Sequence, residues 1–178
     1  MKTKILIDTD LGDDIDDAFA IAMALGFEDV DILGLTTVFK NTKQRAYIAK
    51  RLLTLFGRDD IPVYAGINKP LAQEAGKFAI EQVGNDNLPI LRHFDEKCLD
   101  YPYEGDNAID FIIKTIKDNP NEVILFGIGP ATNIACAIQK DPLVMKQVKQ
   151  IILMNGMFDG TDNKEWNVLC DPAATNIV

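Results

Sequence analysis

Lys4-Ile5-Leu6-Ile7-Asp8, then Thr9-Asp10-Leu11-Gly12-Asp13-Asp14-Ile15-Asp16-Asp17, then Ala18-Phe19-Ala20-Ile21-Ala22-Met23-Ala24-Leu25 is the stretch whose reading decides the fold. Its first five residues form a short apolar run without alternation between faces. That is the pattern of a strand buried on both sides, as in a parallel sheet sandwiched by helices. Ala18 to Leu25 is apolar nearly all round and stops at Gly26, as a packed helix does. Outward from this unit the alternation repeats. A strand is expected from about Val30 to Phe39 and a helix from about Thr42 to Phe56. The helix puts Ala46, Ala49, Leu52, Leu53 and Phe56 on one face, with Lys43, Gln44, Lys50 and Arg51 off it. A short strand, 62–65, follows.

Residues 66 to about 104 break the rhythm with Pro70, Gly76, Gly84, Pro89 and Pro102, an irregular connection long enough to imply a use. A helix then begins near Asp106, with Ile109, Ile112, Ile113 and Ile116 at i, i+3, i+4 and i+7. Strand 123–126, a helix from Pro130 to Gln139, a short helix from Pro142 and strand 151–154 complete the series. The order predicts one open, mostly parallel, Rossmann-like α/β sheet flanked by helices. Ligands of such sheets lie beyond the carboxyl ends of the strands, which selects residues 8–17, 37–41, 127–132 and 155–167. Asp171-Pro172 reads as the N-cap and first residue of a further helix. That helix has little room before Val178, so the expectation is one domain over 1–178 lacking its C-terminal part.

Composition narrows the class. The chain has 178 residues, 47% apolar and 25% charged, with a formal charge of −9, values that exclude a disordered, collagen-like or coiled-coil chain. An acidic protein with pI near 4.5 and no basic block is a poor partner for nucleic acid or an anionic membrane. The start lacks a signal-peptide pattern, and no apolar run is long enough to span a bilayer. Cys98, Cys136 and Cys170 are odd in number and far apart. They read as reduced thiols, and the expected location is the cytoplasm.

Six carboxylates fall between Asp8 and Asp17. Like charges this close repel, and burying any of them unpaired costs several kcal/mol. A hard cation is the natural remedy, since Ca²⁺ and Mg²⁺ take oxygen ligands. The plainer reading is a solvated acidic loop with Asp16 or Asp17 favouring the helix dipole. An EF-hand starting at Asp8 would need Gly at 13 and Glu at 19, where the chain has Asp13 and Phe19. The Asp-x-Asp at a strand end also resembles the haloacid-dehalogenase phosphatases, from which Leu11-Gly12-Asp13 departs; this is the alternative reading. Gly127-Ile128-Gly129-Pro130-Ala131-Thr132 opens a helix but lacks the third glycine of a dinucleotide fingerprint. The single histidine, His93, reads as a surface residue.

Ile5 to Gly12 with Asp16-Asp17-Ala18 resembles the N-terminal signature of the inosine-uridine-preferring nucleoside hydrolases. Four further segments resemble that family's motifs in the same order: Leu35 to Asn41, Gly127 to Ala135, Leu153-Met154-Asn155-Gly156, and Glu165-Trp166-Asn167 through Asp171-Pro172. The resemblance implies a Ca²⁺-dependent enzyme that hydrolyses the N-glycosidic bond of a small-molecule nucleoside. It implies that Asp10 ligates Ca²⁺ and accepts a proton from water, with Asp17 and the carbonyl of Ile128 as further ligands. Asp16 and Asn167 would bind the ribose 2′ and 3′ hydroxyls and Glu165 the 5′ hydroxyl. Met154 would contact substrate, and Asn41 would support the catalytic water. A homo-oligomer is the expected assembly.

Three departures stand out. Two extra residues, about Asp13-Asp14, leave the ligands to be chosen among Asp13, Asp14, Asp16 and Asp17. Val83 stands where the family often has the His of a His-Gly pair. The family's second half, with its His-Asp pair supplying a leaving-group acid and a calcium ligand, has no counterpart here. Weak or absent turnover, or a non-catalytic remnant, is therefore expected of these residues alone.

Overall fold

The computed structural model describes residues 2–72, 90–157 and 165–178. Five strands, β1 (Thr3–Thr9), β2 (Val30–Thr37), β3 (Val63–Ala65), β4 (Val123–Gly127) and β5 (Gln150–Leu153), form one sheet in the order β3-β2-β1-β4-β5. Every pairing is parallel. The helices are α1 (Asp16–Leu25), α2 (Thr42–Leu55), α3 (Ala108–Asp118), α4 (Thr132–Lys140), α5 (Pro142–Met145), α6 (Trp166–Cys170) and α7 (Pro172–Ile177). A 3₁₀ turn, Glu96–Asp100, gives some regularity to the stretch expected to be irregular.

Each face of the sheet carries its own core, which explains the unbroken apolar run of β1. Ile5 and Ile7 pack with Ile21 of α1, Ala46, Ala49 and Leu53 of α2, and Leu35 and Val63 of the neighbouring strands. Leu6 points the other way, against Ile112 and Ile116 of α3, Leu125 of β4 and Ile134 of α4. The register of β1 on β2 slips between Ile5 and Leu6, whose partners are Ile32 and Gly34. This bulge re-phases β2, so that Ile32 before it and Leu35 after it enter the same core although their numbers differ in parity.

Several boundaries differ from expectation. β2 ends at Thr37 rather than Phe39, because Phe39 and Lys40 adopt left-handed backbone conformations (φ 69° and 57°) that no strand can carry. α4 begins at Thr132 rather than Pro130. Lys50 is not on a solvated face. It is buried, with Nζ donating to the carbonyls of Asp59 and Ile61 and to the Glu104 carboxylate. Asp171 does cap α7, accepting from Ala174 N at 3.0 Å. The reading of Val83-Gly84-Asn85-Asp86 falls outside the described residues. No described helix is long and apolar enough to cross a membrane.

From β1 the chain winds outward through β2 and β3, then returns to lay β4 and β5 on the opposite side of β1. The direction of winding reverses between β1 and β4. Beyond the carboxyl ends of those two strands the departing loops diverge and leave a crevice. β1 ends in the acidic segment, and β4 ends in Gly127-Ile128-Gly129.

Candidate active site at the switch point

Asp8 and Asp17 anchor the β1–α1 loop from below. Asp8 is fully buried; its Oδ1 accepts from Thr36 Oγ1 at 2.5 Å and Asn133 Nδ2 at 2.7 Å. Its other oxygen, also buried, has no partner among the described residues. Asp17, in the first turn of α1, turns back beneath the loop. Its Oδ2 accepts from Thr9 Oγ1 at 2.5 Å and from Asp10 N at 3.1 Å. Asp10 is thereby presented on the β4 side of the loop. A Cβ at Gly129 would lie 2.9 Å from Asp10 N and 3.0 Å from Asp10 Oδ1, so only glycine lets the two loops approach this closely. Ile128 N closes the junction by donating to Asp8 O at 2.8 Å.

Burial drives the electrostatics. It pushes the Asp8 carboxyl up to about 7 against the opposing bonds from Thr36 and Asn133, and Asp17 adds to the rise. Burial also takes Asp10 to about 7; Arg45 opposes, while Asp17 and Asp13 repel. Asp17 is raised as well, chiefly by burial, against the Thr9 bond. Three neighbouring carboxyls thus all resist ionising, chiefly because burial penalises their charged form.

The two extra residues of the loop now have distinct places. Asp13 is tied by Lys40 Nζ at 2.9 Å and Arg45 Nη2 at 3.1 Å. Burial works upward on it, but Arg45 and Lys40 together outweigh that and hold it below the ordinary carboxylate range. Asp14 is exposed, 3.8 Å from Arg92. Asp16 is exposed on α1, whereas Asp17 is buried. Of the four alternatives, only Asp17 joins Asp10 beneath the loop.

Two carboxylates and a backbone carbonyl at 128 make an all-oxygen donor set suited to a hard cation. The Asp8 oxygen without a partner among the described residues and the carboxyls raised by burial fit a positive charge at this point. Among the described residues no three His, Cys, Asp or Glu side chains converge to hold an ion by themselves. The remaining coordination places would fall to water or substrate oxygens.

The other expected site residues gather at the same sheet edge, and each has a local bond. Asn41 is buried and caps α2, its Oδ1 accepting from Gln44 N at 3.2 Å. Glu165 caps α6, its two oxygens accepting from Asn167 N at 2.8 Å and Val168 N at 2.9 Å. Asn167 is buried, and its Nδ2 donates to Ile128 O and Met154 O, both at 3.0 Å. It therefore stitches the ends of β4 and β5 together, while its Oδ1 takes no donor among the described residues. Met154 is half exposed beyond β5.

Two polar residues of this arrangement, Arg45 and Asn133, and the long-range partners of the Asp171 side chain escaped the sequence reading. Asn133 Nδ2 bonds both Asp8 Oδ1 and Thr37 O, while its Oδ1 accepts from Ile67 N. Asp171 reaches Thr132 Oγ1 at 2.7 Å and Leu71 N at 2.9 Å. Polar residues inside otherwise apolar helical segments were the only available signal, since their partners lie far away in sequence.

Residues 5–178 match the model of the family described as inosine-uridine preferring nucleoside hydrolase. The chain is 37% identical to a probable uridine nucleosidase 2 of Arabidopsis thaliana, over 99% of this chain and 56% of that protein. It is 32% identical to the pyrimidine-specific ribonucleoside hydrolase RihB of Escherichia coli, again over 99% of this chain and 56% of the other. Its structure resembles a plant nucleoside hydrolase (TM-score 0.76, 32% identity, 99% of this chain and 56% of that one). It also resembles a purine-preferring ribonucleoside hydrolase from Gardnerella vaginalis (TM-score 0.75, 28% identity, 98% and 56%). The chain spans a little over half the length of these relatives. With the acidic loop, the Gly129 turn and the family model coinciding along nearly its whole length, the chain belongs to the inosine-uridine preferring nucleoside hydrolase family.

Proposed function

We propose that the crevice between β1 and β4 takes part in hydrolysis of the N-glycosidic bond of a ribonucleoside, releasing free base and ribose. The observation that carries this reading is the group of three carboxyls Asp8, Asp10 and Asp17, buried or half-buried and each raised chiefly by burial, set at the switch point of a family member's sheet. Family membership removes the haloacid-dehalogenase alternative.

Asp10, Asp17 and the carbonyl of Ile128 would hold Ca²⁺. A bound cation there supplies the charge that lets water lose a proton near neutral pH. The chain's own residues do the rest. Asp10, held at its amide by the Asp17 carboxylate and set against Gly129, would accept that proton as general base. Asn41, fixed as the cap of α2, supports the water. Negative charge around the crevice favours the oxocarbenium-like transition state of glycoside cleavage. Asn167 Oδ1, with its Nδ2 already committed, accepts a ribose hydroxyl. Asp16 takes the other of the 2′ and 3′ pair. Each Glu165 oxygen donates no proton and retains a lone pair beyond its capping bond for the 5′ hydroxyl. Met154 packs on the substrate from the β5 side.

The 178 residues by themselves are proposed to turn over slowly. Their single histidine, His93, is exposed, and general-acid assistance to a leaving base is worth roughly 10²–10⁴-fold. The setting is proposed to be the cytoplasm, where the three free thiols persist, and the assembly a homo-oligomer. The test is a reducing-sugar assay on uridine and inosine, with Ca²⁺ and after chelation. Calcium-dependent release of ribose, lost in Asp10→Asn, is the expected result. Equal release by the Asp10→Asn chain would remove the assignment.

A further inference from the structure

Arg45 is fully buried in the first turn of α2, and nothing in the proposed reaction uses it. Its guanidinium is spent almost entirely on backbone. Nε donates to Phe39 O at 2.8 Å, and Nη1 donates to Leu11 O at 2.7 Å and to Asp10 O. Nη2 donates to the Asp13 carboxylate at 3.1 Å. One side chain thus grips the carbonyls of Asp10 and Leu11 on the loop after β1. It grips the carbonyl of Phe39, one of two consecutive left-handed residues, on the turn after β2.

The geometry points to Arg45 as a positioning residue that sets where the Asp10 carboxylate stands, with Asp13 as its anchor. Two arguments support this beyond simple burial. First, a carbonyl oxygen is fixed relative to the Cα that carries its own side chain, so holding Asp10 O restricts the direction of the Asp10 carboxylate. Gly129 closes the opposite side, and Asp17 holds Asp10 N. The residue is clamped at N, at O and from the β4 turn. Second, the left-handed pair Phe39–Lys40 is a conformation that side chains disfavour and that persists only where its surroundings over-determine it. The Arg45–Phe39 bond supplies such a constraint one residue before Lys40, whose ammonium also binds Asp13. Asp13 is then matched to Arg45 and Lys40 and is not a cation ligand, which gives the loop's extra residues a purpose. A planar fork with several fixed donors can bridge three carbonyls and a carboxylate; a lysine ammonium, with three donors and no fixed plane, cannot reproduce that set.

This inference rests on the cation reading of the site, and the experiment separates the two. Ca²⁺ binding to the 178-residue chain is measured by calorimetry, and backbone hydrogen exchange is followed at Leu11 and Val38, whose amides donate to Thr9. Arg45→Lys is expected to weaken Ca²⁺ binding at least tenfold and to lose protection at those two amides while the sheet stays protected. Asp13→Asn, which removes the anchor and leaves the carbonyl bonds, is expected to show the same changes to a smaller degree. Lys50→Met, which removes another buried cation away from the site, should lower the melting temperature without changing Ca²⁺ affinity. If Arg45→Lys binds Ca²⁺ as wild type does with unchanged protection, the inference is overturned. Should Arg45→Lys fail to fold, Asp13→Asn decides alone, and wild-type affinity and protection there overturn it. A wild-type chain that takes no Ca²⁺ but loses Leu11 and Val38 protection in Arg45→Lys would refute the cation reading and leave the clamp standing.

Discussion

Replacing Asn133 by alanine tests whether the site is held from below by the bridge to Asp8. The side chain is fully buried and makes three bonds: to Asp8 Oδ1 at 2.7 Å, to Thr37 O at 3.0 Å and from Ile67 N at 2.9 Å. Two of the partners keep a second donor, since Thr36 still serves Asp8 and Gly66 N still serves Thr37 O. Those two losses cost about 0.5–1.5 kcal/mol each. The Ile67 N–H is left with no acceptor, for about 1–3 kcal/mol more. The sum is about 2–6 kcal/mol, a large share of an ordinary domain's stability of about 5–15 kcal/mol. For a chain of this size it corresponds to a fall in melting temperature of about 4–24 °C. Urea and thermal unfolding followed by far-ultraviolet circular dichroism would measure both. Asn133→Asp, nearly isosteric, sharpens the test. It keeps the acceptor for Ile67 but places a second carboxyl against Asp8, so it should be at least as damaging as alanine. A loss below about 1 kcal/mol for alanine, or an aspartate variant milder than alanine, would refute the bridge.

Ca²⁺ added at about one hundred times its Kd should stabilise the chain by about 2.7 kcal/mol, and Asp17→Asn should abolish that gain; denaturant midpoints with and without the ion would show it. Gly34→Ala should destabilise by about 1–3 kcal/mol, because a methyl there would run into the Phe111 ring, and urea unfolding curves of the variant against wild type would show it. Burial pushes the Cys170 thiol up to about 12, with the charge of Asp10 adding to it. At pH 8 iodoacetamide should therefore modify the partly exposed Cys136 before Cys170, and mass spectrometry should find Cys170 labelled only after denaturation.

The sequence by itself determined the alternation of strands and helices, the parallel sheet and the placing of the acidic loop at the carboxyl end of β1. These are properties of short windows. An apolar run without alternation has to be buried on both faces, and repulsion among six carboxylates within ten residues exists whatever lies around them. The cap at Asp171 was legible for the same reason, since a cap bonds its own first turn. Only the tertiary structure separates Asp13, Asp14, Asp16 and Asp17 by burial and partner, because both depend on groups distant in the chain. Arg45, 32 positions from Asp13, takes that carboxylate, while Thr9 and the Asp10 amide take Asp17. Asn133, 125 positions from Asp8, could not be foreseen as its partner, and Lys50 looked solvated until Glu104 and two carbonyls proved to surround it. A side chain's charge is written in the sequence, but its counter-charge and its exposure belong to the fold. The loop's chemistry was therefore readable before its geometry, and which of its carboxylates are paired or buried followed from what the sheet brought against them.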